Sequence, residues 1–208
     1  MVALLGGLLC LDRLVLQVML SRPLAAASLV GLVLGDPLTG VIAGAMTELL
    51  WIDRFQMGRY IPPNDTVVGV LVSGGTIMAG MKLGGVSPEL MALAVLLFAP
   101  AAFIARKGDL AIARSNKRLS DTVTEDVLRN GAGSVTRKHY LAMAKTFTLS
   151  SVLLFVLLVA GTMLLQGIFP VLGERFVRTL NLVYYFIPVL GVSVALSTIK
   201  IRGALPVF

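Results

Sequence analysis

LVLGDPLTGVIAGAMTELLWI, residues 32–52, is almost wholly apolar, yet it holds Asp36, Pro37 and Glu48. Proline has no backbone N–H and disfavours helix for the residue before it. The Gly35–Asp36–Pro37 step therefore divides 24–52 into two short helices meeting at a break. Asp36 is placed to accept the free N–H groups that open the second helix, and this capping accounts for it without any ligand. Lipid tolerates such a break only where protein covers it or where it lines a cavity. Paired short helices of this kind build substrate sites in secondary transporters.

The flanking sequence points to the same solvent. Hydrophobic residues make up 57% of the 208 and charged residues 14%, against about 25% charged in soluble domains, and mean hydropathy is +0.90. Apolar runs lie at 1–11, 14–20, 24–34, 38–52, 66–81, 89–105, 146–172 and 180–199. The last three approach the ~20 residues of an ordinary membrane span. The earlier ones are shorter or interrupted, the first pair by Asp12–Arg13. The expected fold is all-α, a polytopic integral membrane protein with broken or re-entrant half-helices in its N-terminal half. Residues 1–105 form an N-terminal membrane region, 106–145 a basic amphipathic segment and 146–208 the C-terminal membrane helices.

Net charge is +7, and nine of the 18 basic residues fall within 106–145. Such a concentration is read as a cytoplasmic segment, since Lys and Arg accumulate on cytoplasmic loops. It serves either as a solvated orientation signal or as a docking face for a soluble partner. No nucleic-acid signature is present, so nucleic acid is not an expected partner. Cys10 is the single cysteine, which excludes a disulfide framework. No cluster of His, Cys and carboxylate has ligand spacing, so neither a metal nor a cofactor is expected. The opening MVALLGGLLCLDR lacks the basic start and cleavage site of a signal peptide and is read as mature chain. GxxxG spacings at Gly31/Gly35, Gly40/Gly44 and Gly80/Gly84 are read as close helix contacts.

Arg22-Pro23-Leu24, then LVGLVLGDPLTGVIAGAMTELL, then the PPND of residues 62–65, resemble the IIC permease subunit of the mannose/fructose/sorbose class of the bacterial sugar phosphotransferase system. Order, spacing and residue type agree over about 21–80, with weaker similarity in KHYLAMAKTF and TLNLVYYFIPVLG. The resemblance implies a multi-pass protein of the bacterial inner membrane that works beside a IID membrane subunit, in a higher oligomer. It also implies soluble IIA and IIB proteins that carry the phosphate, so this subunit is a permease and not the phosphoryl-transfer enzyme. His139, the lone histidine, is read as a membrane-interface side chain.

Carried over residue by residue, the resemblance places sugar contacts at Glu48, Gln56, Asn64 and Asp65. An acidic side chain costs about 2.5–3.5 kcal/mol at a helix centre in lipid and so marks a functional site by default. For Glu48 the alternative is an ion pair with Arg54 or Arg59. Trp51 is read as an interface anchor before a stacking platform for a sugar ring. Against the family's usual length the C-terminal region is short. A second expectation is therefore a truncated, transport-deficient membrane component that recruits phosphotransferase proteins; a third is an ion-driven transporter.

Overall fold

The computed structural model describes residues 1–13, 17–53, 61–123 and 133–198. The described residues are helices and their connections: α1 (Val2–Leu11), α2 (Pro23–Leu34), α3 (Pro37–Leu50), α4 (Asp65–Leu83), α5 (Pro88–Phe98), α6 (Ala101–Asp121), α7 (Gly133–Ile168) and α8 (Glu174–Thr198), with a 3₁₀ turn at Phe169–Val171. Four helical stretches, 65–83, 88–121, 135–171 and 174–197, are long and apolar enough to cross a membrane.

The interrupted stretch is a hairpin. Gly35 ends α2 in the left-handed conformation, φ 83°, which glycine adopts without steric cost. Pro37 then opens α3, and the Asp36 carboxylate accepts the Thr39 N–H at 3.0 Å. The two helices return alongside each other: a Cβ on Gly31 would lie 2.7 Å from the Gly40 Cα, and one on Gly44 2.8 Å from the Leu24 Cα. At 1.5 Å per residue α2 is about 18 Å long and α3 about 21 Å, so each is shorter than the ~30 Å hydrocarbon core. The half-helices therefore lie side by side, with Asp36 at the tip and Glu48 at the open end. Of the three GxxxG spacings, Gly40/Gly44 is a packing pair. Gly35 and Gly84 are left-handed caps with open space where a Cβ would stand.

Helix α4 is the axis of the molecule. Its apolar run, 66–81, is too rich in glycine, serine and threonine to stand out as an ordinary span, yet it is buried on every side from Thr66 to Ile77. Small residues admit neighbours closely. The Ser73 hydroxyl donates to Ala27 O of α2 at 2.9 Å, and the Phe98 ring of α5 wedges between Gly75 of α4 and Gly161 of α7. Pro100 separates α5 from α6 with little change of backbone conformation, φ −63° and ψ −22°. Helix α7 has 36 residues, about 54 Å, and so extends well past the hydrocarbon core. Helix α8 packs on α3 and α5; Gly191 sits against Leu49, and Asn181 Nδ2 donates to Glu89 at 2.6 Å.

The apolar run at 14–20 meets a local competitor. The buried Asp12 carboxylate accepts the Val18 and Ser21 N–H groups, each at 2.9 Å, and Gln17 and Met19 have positive φ. Those amides are thereby taken from any helix, and 17–22 is a fixed loop leading into α2. Burial alone would push the Asp12 carboxyl up, but the amide bonds outweigh it and hold it below the usual carboxylate range.

Candidate functional site

Polar side chains gather at the end of the bundle where α1 and α3 finish and α2 and α4 begin. The sequence IPPND sets this up locally. Asn64 caps α4, its Oδ1 accepting the Val67 N–H at 3.1 Å, and Asp65 occupies the first turn, where negative charge is favoured by the helix dipole. The carbonyls of Pro62 and Pro63 precede the helix and accept the Arg13 guanidinium at 3.2 and 3.3 Å. The same guanidinium pairs with Asp65 at 3.1 Å, both side chains being largely buried at 11% and 15% exposure.

Glu48 lies in the last turn of α3, where a carboxylate opposes the helix dipole. It is compensated across the hairpin. Arg22 Nη1 pairs with Oε1 at 3.2 Å, and Oε2 accepts the Leu24 N–H at 3.3 Å. Helix α2 has no side-chain cap of its own, so Glu48 supplies one from the neighbouring helix. Among the described residues its ion partner is Arg22, in the RPL motif; Arg54 and Arg59 lie outside them. Arg22 also stands within electrostatic reach of Asp65, which joins the two pairs into one network.

Asn64 faces the other way as well. It is 2% exposed; its Nδ2 donates to Asp109 Oδ2 of α6 at 3.0 Å, and its N–H donates to Ala102 O at 3.1 Å. Beside it lies a cavity of about 280 Å³, lined among others by Cys10, Arg13, Asn64, Asp109, Asn116 and His139. The buried Asn116 Oδ1 has no hydrogen-bond partner among the described residues. The volume is at the low end for small-molecule pockets, ~300–1,000 Å³.

The structure therefore brings Glu48, Asn64 and Asp65 to one end and puts Asp36 and Pro37 at the other. Asp36 borders a separate cleft with Gly80, Gly84 and Gly85. Gln56 lies outside the described residues. Trp51 follows α3 and packs partly buried against the core, beside Leu190 and Phe186 of α8. The sequence alone does not assign Arg13, Arg22 or Asp109 to the site. The signal for Arg22 was its place in the quoted motif. Arg13 and Asp109 had only the general rule that charge near an apolar run needs a partner.

Residues 1–208 match throughout the family described as PTS system sorbose-specific IIC component. The chain belongs to that family. It is a mannose-type phosphotransferase IIC permease, a multi-pass protein of the bacterial inner membrane. The PTS system mannose-specific EIIC component of Escherichia coli (strain K12) is 25% identical over 194 residues, covering 90% of this chain and 68% of the relative. The fructose permease IIC component of Bacillus subtilis (strain 168) is 38% identical over 78 residues, 38% of this chain and 28% of the relative. Two solved structures share the fold. One, described as the structure of a membrane protein, has a TM-score of 0.78 at 19% identity. The other, the mannose transporter ManYZ in complex with microcin E492, has a TM-score of 0.67 at 16% identity. Each covers 100% of this chain and 81% of the solved one. The all-α membrane fold expected from the sequence, with its broken N-terminal helices, is the fold found.

Proposed function

We propose that this permease binds a hexose-like sugar at the polar end of the bundle, with Glu48, Asn64 and Asp65 among its contacts and Gln56 on the connection between α3 and α4. The supporting observation is the paired network. Glu48 and Asp65 each face a guanidinium, so these two contacts need no counter-charge from the ligand and suit a neutral one. A carboxylate has about four acceptor positions. The single bonds to Arg22 and Leu24 at Glu48, and to Arg13 and Thr66 at Asp65, leave acceptors for sugar hydroxyls. The cavity beside Asn64 adds the Asn116 oxygen, which lacks a donor.

On this reading the sugar moves by alternating access with a IID membrane partner, in a higher oligomer. Soluble IIA and IIB proteins carry the phosphate and trap the sugar by phosphorylating it. The basic stretch 106–145 faces the cytoplasm. The test is uptake of labelled hexose into vesicles holding this chain and a IID partner. Uptake requires phosphoenolpyruvate and the phosphocarriers together. Uptake that persists without phosphocarriers and collapses with an ion gradient overturns the proposal. An assembled complex with no uptake points instead to a recruiting role.

A further inference from the structure

A groove of about 580 Å³ runs between α6 and α7, separated by Ile112 from the cavity beside Asn64. The two helices are antiparallel and are pinned by two cross-contacts: Lys138 Nζ donates to Thr122 at 2.6 Å, and Lys145 Nζ donates to Ser115 at 3.3 Å. The floor is small and apolar, with Ala111 and Ala144 among its residues, and Leu149 and Val152 continue it along α7. Beyond Val152 the exposed apolar stripe of α7 runs on through Val156 and Val159. We propose that this groove holds one anionic glycerophospholipid of the surrounding bilayer, its phosphate against Lys145 and one acyl chain along the stripe.

Three observations favour that occupant. Lys145 to Val156 spans about 16 Å at 1.5 Å per residue, about half of the ~30 Å hydrocarbon core, which is the depth of one leaflet. Charge at the groove mouth is complementary. Arg118 lies one turn beyond Ser115, and Arg137 and Lys138 lie two turns before Lys145. Asp109, a carboxylate of the same helix, is turned away to Asn64. Finally, Lys145 is the one charged residue lining the groove among the described residues. An apolar helix seated there would have to bury its ammonium with only the neutral Ser115 hydroxyl beside it, whereas a lipid phosphate supplies a charged acceptor.

The full chain, purified in mild detergent, is titrated with phosphatidylglycerol and with phosphatidylcholine of the same acyl chains. Bound lipid is counted by native mass spectrometry. Phosphatidylglycerol is retained over phosphatidylcholine by about fivefold, the equivalent of about 1 kcal/mol for one cation at the membrane surface. Lys145→Ala brings the ratio near one, Lys145→Arg keeps it, and Ala144→Phe, which fills the floor, loses both lipids. Lys117→Ala removes the same charge from the opposite face of α6 and changes nothing. No preference in the wild-type chain, or equal losses in Lys145→Ala and Lys117→Ala, overturns the proposal. So does displacement of phosphatidylglycerol by inorganic phosphate, or a photo-crosslinker at position 148 that captures a polypeptide instead of lipid in native membranes.

Discussion

Asn64→Asp should be among the most damaging single substitutions at the polar end, although it is isosteric. The new carboxylate still caps α4, because aspartate accepts the Val67 N–H as well as asparagine does. What changes is the other side. The Nδ2 donor, 3.0 Å from Asp109 Oδ2, becomes an oxygen facing an oxygen. Two unit charges at such a distance repel by about 5–6 kcal/mol at an effective dielectric near 20. Uptake of one proton limits the loss: for a group of ordinary pKa near 3.9 this costs about 4 kcal/mol at pH 7. Arg13, which acts on Asp109 and pairs with Asp65, offsets part of it, so about 3 kcal/mol remains. The folded variant holds a proton that its unfolded chain gives up. Its stability therefore rises as pH falls, by about 1.4 kcal/mol per unit. The reciprocal pair Asn64→Asp with Asp109→Asn restores one donor facing one carboxylate and should recover to within about 1 kcal/mol of wild type. The assay is reversible unfolding in mixed micelles between pH 5 and 7. A single variant that is near wild type and flat with pH refutes the reasoning, as does a double variant no better than the single.

Further expectations rest on packing and on the loop. Gly40→Leu should prevent the hairpin from closing, because its Cβ would meet Ala27 O at 2.7 Å and the Gly31 Cα at 2.8 Å, backbone atoms that cannot move aside. A loss of at least ~1–3 kcal/mol is expected, read as a fall in monodisperse protein after heating. Phe98→Ala empties the wedge between Gly75 and Gly161 and should cost about 3–5 kcal/mol in the same unfolding assay. Asp12→Asn should destabilise by about 1–3 kcal/mol at pH 7, since the loop amides lose a charged acceptor. The Asp12 carboxyl is held low, so its contribution is full above the unfolded value near 3.9 and fades as pH drops through the folded one. The difference between variant and wild type should therefore shrink below about pH 4.

The break at Asp36–Pro37 was legible because proline, glycine and a capping aspartate act within a few residues of themselves. That the halves fold back was less so, since it depends on Gly31 meeting Gly40. The run at 66–81 was legible as apolar but not as a full span, for a related reason. A helix covered on every side by neighbours can use glycine, serine and threonine, which lowers its hydropathy and leaves it no periodic face. Of the apolar run at 14–20, the described residues 17–20 are a loop, because Asp12 offers the Val18 and Ser21 amides a better partner than a helix would. At the polar end, Glu48, Asn64 and Asp65 were recognisable by residue type and motif. Their partners were not: Arg13 lies 52 residues from Asp65, and Asn64 lies 45 from Asp109. Sequence order carries no direct record of such pairs.

The most direct measurement is calorimetric titration of hexose into the complex of this chain with a IID partner, comparing wild type with Glu48→Gln and Asp36→Asn. Asparagine still caps α3 at the hairpin tip, far from the polar end, so Asp36→Asn should bind like wild type. Glu48→Gln should weaken binding about tenfold or more, the equivalent of ~1.4 kcal/mol for a lost charged acceptor. Equal affinity in Glu48→Gln and wild type, or a matching loss in Asp36→Asn, would contradict a sugar site at the open end of the hairpin.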